Sequence, residues 1–362
     1  MAMAQRPCRP SFRADPRPLE LRPRRRPVVS RASGKEEIGA SLQSSATWPA
    51  LFVSSAVANR VSNRVLLAPM MRHTYFLALC TTVVQLAVYG AWLRRRIRRG
   101  LVTEPMWSFA KAKPLLLATF GLCEGAFFPL VFYSAARLPG SLVQVLNQTL
   151  IPFTVALSFG FLGKRYDLTQ MSGVAIVLAG VLVVSSLPSK APSALAFVLL
   201  CVAAYGLQAA AMVVKETVFS QYKRSEGGGR KPFDPALFLA AGTSSRCLVQ
   251  VLAWPLYLHV TGGPGLRSCA AAGLQAVGAV LPLAAFYIAA NVALSITALL
   301  MVQQTSAATT VLANVVALPL SALLFCLPLP LLEQQAFQWR LGASLLLVVL
   351  GNLLYSHRAL KR

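Results

Sequence analysis

The sequence predicts an all-α integral membrane protein of about ten transmembrane helices arranged as two inverted five-helix halves, and three observations predict it. Apolar residues make up 56% of the 362-residue chain and charged residues only 13%, against roughly 25% charged in a soluble domain that must solvate its surface. The Lys and Arg residues cluster in an N-terminal tail and in short segments between apolar runs. Polar and proline positions also recur between the two halves at one offset of 167 residues.

The apolar runs set the elements. A hydrocarbon core of about 30 Å takes about 20 residues of helix. Runs of that length fall at 48–68, 74–93, 114–134, 140–162, 168–187, 192–214, 234–258, 275–299, 303–328 and 336–356. No charged residue occurs between Arg267 and Glu333, a stretch too long for one span and divided most simply near Gln303-Gln304. Turn residues such as Leu138-Pro139-Gly140 and Gly163-Lys164-Arg165 separate other spans. The halves are then 48–187 and 192–356, with a basic tail at 357–362.

Residues 1–47 are different material, rich in Arg and Pro, poor in acids and without an apolar core segment. That composition excludes a secretory signal and matches an organelle transit segment, with Val28 to Ser33 reading as a plastid processing site cut after Ala32. A disordered basic tail is the alternative.

Orientation follows from charge. With ten spans, one set of loops holds Arg94, Arg95, Arg96, Arg98, Arg99, Lys111, Lys113, Lys164, Arg165, Lys215, Lys223, Arg224, Arg230 and Lys231. The opposite loops hold little beyond Arg72, Arg137, Lys190, Arg267 and Arg340. The bias places both termini on the cis side, cytosolic or stromal. It also accounts for the net charge of +24 without nucleic acid. The seven cysteines form no CxxC pair, and none of the three histidines neighbours a Cys or a carboxylate in sequence, so no metal or other cofactor is expected. The expected partners are the bilayer, a small solute and a coupling proton.

At the 167-residue offset Glu124 pairs with Asn291, Asn147 with Asn314 and Pro152 with Pro319. Five spans separate the members of each pair, which inverts the halves across the bilayer. A proline inside a helix removes a hydrogen bond and clashes one turn back, loosening the Gln148 and Val315 carbonyls beside the two asparagines. Such polarity is tolerated in mid-membrane only where protein or a wet cavity covers it.

The buried polar residues give the candidate site. Glu124 is the only acid inside a span, where an acidic group costs about 2.5–3.5 kcal/mol and calls for a partner or a task. It reads as a proton-coupling or cation-binding carboxylate, or as a paired structural group. Arg246, central in span seven, could pair with Glu124 or hold a substrate carboxylate. Arg60 and Arg64 lie late in span one, within snorkelling reach of the interface. Ser141, Gln144 and Gln148, with Asn147 adjoining, form a polar stripe at helical spacing in span four. Gln303, Ser306, Thr310 and Asn314 form another in span nine. Both read as cavity lining, with interhelical hydrogen bonding as the alternative. Gly173 and Gly180 share a face of span five and serve close packing.

Several segments resemble the chloroquine-resistance-transporter-like proteins. They are Ser62-Asn63-Arg64-Val65, Tyr75-Phe76, Glu124, Arg137-Leu138-Pro139-Gly140-Ser141, Leu146-Asn147-Gln148, Ile151-Pro152 and Phe161 to Tyr166. The resemblance implies the drug/metabolite transporter fold, with ten helices in two inverted halves around a central cavity. In the plant branch it implies plastid-envelope transport of thiol peptides such as glutathione and γ-glutamylcysteine. Carried over by position, Asn63-Arg64 and Asn147-Gln148 would face the cavity. The stretch 259–274 is short with Cys269 alone, unlike the parasite form with its long cysteine-bearing loop, and this favours the plastid branch.

The function expected is alternating-access transport of a thiol peptide, with Arg246 or Arg64 on carboxylate and Glu124 on an ammonium or coupling proton. The alternative is a sugar-phosphate, nucleotide-sugar, drug or amino-acid exchanger of the same superfamily. An enzyme is disfavoured, because one buried Glu and scattered His residues supply no nucleophile–base set.

Overall fold

The computed structural model describes residues 31–185, 193–225, 232–261, 265–304, 307–326 and 339–359. The expected transit segment lies largely outside them. The chain divides into Met1–Ser44 and Ser45–Arg362, and the architecture below is that of the larger unit.

Every regular element among the described residues is helical. In chain order they are α1 (Arg31–Leu67), α2 (Thr74–Arg98), α3 (Glu104–Ala112), α4 (Pro114–Ala135), α5 (Gly140–Leu146), α6 (Leu150–Leu162) and α7 (Leu168–Ser185). There follow α8 (Ser193–Ser225), α9 (Pro235–Thr261), α10 (Leu266–Ala279), α11 (Leu281–Gln304), α12 (Ala307–Cys326) and α13 (Trp339–Ala359). Six of these segments are long and apolar enough to cross a membrane: Met71–Arg98, Pro114–Ala135, Leu142–Leu162, Leu195–Ser225, Pro235–Thr261 and Leu281–Gln304. Their outer faces carry exposed Leu115, Leu122, Phe161, Leu195, Leu252 and Phe286. Apolar surface on this scale belongs against hydrocarbon rather than water. The protein is an all-helical, multi-pass membrane protein.

Expected spans at 48–68, 168–187, 303–328 and 336–356 overlap α1, α7, α12 and α13, which fall outside that set of six. α1 carries Asn59, Arg60, Asn63 and Arg64 within its apolar stretch. The apolar parts of α7 and α13 are shorter, at Leu168–Val183 and Gly342–Tyr355.

Three boundaries differ from the sequence reading. α8 runs on to Ser225, past the expected end at 214, because Lys215 and Glu216 are both neutralised by partners and the helix need not stop at them. The eighth span begins at Leu281 and is preceded by the separate helix α10. The fourth is divided. A 3-10 turn over Asn147–Thr149 separates α5 from α6, where Pro152 cannot return a hydrogen bond to Gln148. α12 continues as one helix through Pro319, so the two prolines differ in their effect. α11 ends at Gln304 and α12 starts at Ala307, beside the division expected at Gln303-Gln304. α6 ends at Gly163, whose φ of +63° closes the helix while the Lys164 N–H bonds back to Ser158 O at 3.3 Å.

Tight crossings position the cavity walls. α4 packs on α8 and α9, α2 on α9, α6 on α8 and α7 on α13. Gly173 and Gly351 bring α7 and α13 into backbone contact: a Cβ at Gly173 would lie 2.6 Å from the Gly351 carbonyl oxygen. Gly180 borders α13 as well, its carbonyl accepting from Ser344 Oγ at 2.7 Å.

Candidate functional site

A cavity of about 200 Å³ lies between α1, α4, the α5–α6 pair, α8, α11 and α12. Each wall is one face of a helix, recognisable by its spacing. α1 contributes Asn59, Arg60, Asn63 and Arg64, two adjoining pairs four residues apart. α4 contributes Glu124 and then Phe127, Phe128, Val131, Phe132 and Ala135. α8 gives Tyr205, Gln208, Met212 and Lys215, while α11 gives Tyr287, Asn291 and Ser295, and α12 gives Thr310 and Asn314. The site is thus an amide-rich patch against an aromatic floor.

In the divided fourth span the lining residues are Gly140, Val143, Gln144, Asn147 and Leu150. The 3-10 turn advances by three residues, so Asn147 and Leu150 stay on the face of Gln144. Gln148 is turned away, 2% exposed and absent from the cavity wall. The expected stripe therefore divides, with Gln144 and Asn147 on the cavity and Gln148 packed behind. At the end of α11, Gln303 is also diverted, its amide donating to the Phe233 carbonyl at 2.8 Å. Ser306 lies outside the described residues.

Glu124 is not alone. Lys215 Nζ lies 3.0 Å from its Oε1 and Arg246 Nη1 lies 3.3 Å from its Oε2. The second Arg246 nitrogen donates to Gln85 Oε1, and the guanidinium stacks 4.5 Å over the Phe128 ring. Gln85 passes the chain on, donating to Asn291 Oδ1 at 2.6 Å, and Asn291 donates to the Tyr287 hydroxyl at 3.2 Å. One network therefore ties α2, α4, α8, α9 and α11 together. It holds two cations on one carboxylate. Such an arrangement orients the carboxylate from both sides and leaves a net positive charge.

Arg246 lies behind the cavity wall, outside its lining and 2% exposed, with its guanidinium against the wall residues Glu124 and Phe128. The guanidinia on the cavity are those of Arg60 and Arg64. Arg64 donates to the carbonyls of Ala135 and Leu138 at 3.3 and 3.1 Å. Arg60 donates to Asn314 Oδ1 at 3.0 Å, to Asn314 O at 3.2 Å and to Ser321 Oγ at 3.4 Å. Rather than snorkelling to the interface, it is buried across the cavity. Among the described residues no group of three or more His, Cys, Asp or Glu is placed to hold a metal ion.

The structure thus gathers Glu124, Asn63, Arg64, Gln144, Asn147, Asn291, Thr310 and Asn314 around one cavity, and leaves Arg246 and Gln148 behind its walls. Sequence reasoning did not assign Lys215, Arg60, Gln85, Asn59 or Gln208 to the site. The signal for most of them was present, since Asn59-Arg60 repeats Asn63-Arg64 one helical turn earlier, and Gln208 and Lys215 share a face of α8.

Residues 48–226 match the family model described as CRT-like, chloroquine-resistance transporter-like. Protein CLT2, chloroplastic, of Arabidopsis thaliana is 30% identical over 362 residues, covering 94% of this chain and 82% of its own length. The chain belongs to the chloroquine-resistance-transporter-like family. Protein CLT1, chloroplastic, from the same plant is also 30% identical, over 83% of this chain and 70% of that protein. Crt homolog 3 of Dictyostelium discoideum matches over a shorter stretch, 31% identical over 38% of this chain and 28% of its own. A solved structure titled "Crystal structure of protein" superposes with a TM-score of 0.51 at 15% identity, over 87% of this chain and 97% of that one, which shows a shared fold. In this CRT-like protein the family match takes in α2 through α8 with the apolar part of α1, and so Arg60, Arg64, Glu124, Asn147 and Lys215. Being a CRT-like protein, it is a membrane transporter by family.

Proposed function

We propose that this chain carries thiol peptides, such as glutathione and γ-glutamylcysteine, across the plastid envelope by alternating access. The observation that carries the reading is the cavity itself: an amide-lined, cation-bearing hollow buried in an all-helical membrane protein of the CRT-like family. A peptide backbone needs donors and acceptors, which Asn63, Gln144, Asn147 and Asn314 supply, and its carboxylates need cations, which Arg64 and Arg60 supply. The plastid assignment rests on the chloroplastic relatives and on the Arg-rich, acid-poor segment 1–47, which we read as a transit peptide.

Alternating access would come from two inverted halves, 48–187 and 192–356, that form a ten-helix drug/metabolite transporter fold. The lining supports this. α1, α4 and α5–α6 from the first half are matched by α8, α11 and α12 from the second, each five spans on. Short helices α3 and α10 precede α4 and α11, which begin 167 residues apart at Pro114 and Leu281. A coupling proton would act at Glu124, because protonation there removes the charge that Lys215 and Arg246 share.

A sugar-phosphate exchanger is the second reading, favoured by the cations Arg60, Arg64 and Lys215 on one cavity. Uptake of labelled glutathione into proteoliposomes decides between them. We expect saturable uptake, competed by γ-glutamylcysteine and not by phosphate esters; competition by phosphate esters alone would favour the exchanger. Glutathione uptake no greater than in protein-free vesicles would end the thiol-peptide reading.

A further inference from the structure

If the cavity carries a solute, as proposed above, its charge balance says which chemical group docks there and where. Among the described residues, four cationic side chains, Arg60, Arg64, Lys215 and Arg246, lie on or just behind the cavity wall, with the single carboxylate of Glu124. Lys215 and Arg246 share that carboxylate. Arg64 is held by the carbonyls of Ala135, the last residue of α4, and of Leu138 in the turn beyond it, at the negative end of the helix dipole. Arg60 differs from all three. It has neither a described carboxylate within ion-pair distance nor a helix end: it is 8% exposed and its acceptors are the neutral oxygens of Asn314 and Ser321, within the body of α12.

A guanidinium stays charged, and a buried charge needs a counter-ion that neutral amides only partly replace. The surroundings of Arg60 are also short of partners. Among the described residues the side-chain oxygens of Asn63 and Gln144 have no donor, and the amide nitrogen of Asn59, likewise 8% exposed, meets no acceptor but the Tyr287 hydroxyl. All three residues line the same cavity.

We propose that Arg60, with the Asn59 amide beside it and Asn314 orienting it, is the anion subsite of the cavity, taking a carboxylate or phosphate group of the solute. Asn314 and Ser321 take N–H groups on both terminal nitrogens of the guanidinium, and the N–H donors left over suit the oxygens of either group. Asn59 Nδ2 adds a further donor, while the Asn63 and Gln144 oxygens suit the N–H groups of a peptide. Asn314 holds the fork in place from α12, so the subsite joins α1 to the opposite half of the chain and an anion bound there bears on both.

The test uses the purified full chain in detergent and reads ligand-induced thermal stabilisation. The probes are glutathione, its glycine ethyl ester and inorganic phosphate. We expect wild-type protein to be stabilised by glutathione or by phosphate, which separates a carboxylate from a phosphate solute. Blocking one of glutathione's two carboxylates, that of its glycine, as the ester should weaken any glutathione effect in part. In Arg60→Gln the apparent Kd should rise about tenfold or more, the scale for losing one partner of a buried charged contact. Arg60→Lys should keep part of the affinity. If Arg60→Gln does not fold, Asn314→Ala, which frees the guanidinium from its orienting oxygen, should give a smaller loss. A wild-type protein that none of the probes stabilises, or an Arg60→Gln protein that binds as tightly as wild type, overturns the proposal. Proteoliposome flux separates the two claims: binding without flux defeats the carrier reading and leaves the subsite, and flux unaltered by Arg60→Gln defeats the subsite alone.

Discussion

At Glu124 one carboxylate serves two cations that arrive from different helices, Lys215 from α8 and Arg246 from α9. Removing its charge leaves both cations buried with no carboxylate, and breaking a buried pair from one side costs about 3–5 kcal/mol. Glu124→Gln should therefore lower the thermal unfolding temperature in detergent, and Glu124→Gln with Lys215→Met should recover part of the loss. Equal stability of wild type and the single variant would show that the network carries no structural weight. Glu124 was legible in the sequence as the only acid within a span. Lys215 was not, because a charge at the end of an apolar run looks like the end of the span. Its burial depends on a partner 91 residues away in the chain. Arg60 was misplaced at the interface for a similar reason, since its acceptors on Asn314 lie 254 residues further on.

Among the elements, apolar length gave the long helices, their order and the division near Gln303-Gln304, while which proline divides its helix was not legible. Pro152 and Pro319 look equivalent in sequence. Only the first divides its helix, with the Asn147–Thr149 turn that separates Gln144 and Asn147 from Gln148. The α7–α13 contact is the other element-scale feature, and there the expected role of Gly173 and Gly180 in close packing matches the geometry. A methyl at Gly173 meets backbone, which cannot swing aside as a side chain does, so Gly173→Ala should destabilise by about 1–3 kcal/mol in thermal unfolding. At Gly90 a Cβ would meet nothing within 4 Å, and Gly90→Ala should be neutral or stabilising by up to about 1 kcal/mol. Equal effects at the two positions would mean that the α7–α13 approach is looser than described.

For the whole molecule, the sequence announced a membrane protein through its scarcity of charge, and the family through scattered segments in its first half. Neither composition nor periodicity could say that α1, α4, α5–α6, α8, α11 and α12 converge, because convergence depends on which helix faces which. The transport account makes that convergence the solute's path. A single cysteine at Asn147, introduced after replacing the seven native cysteines, tests it in proteoliposomes with a membrane-impermeant maleimide. The account predicts that the reagent reaches position 147 from either face of the bilayer as the protein cycles, and that labelled protein no longer carries glutathione. Full flux through labelled protein, or a site that no reagent reaches from either face, would contradict it.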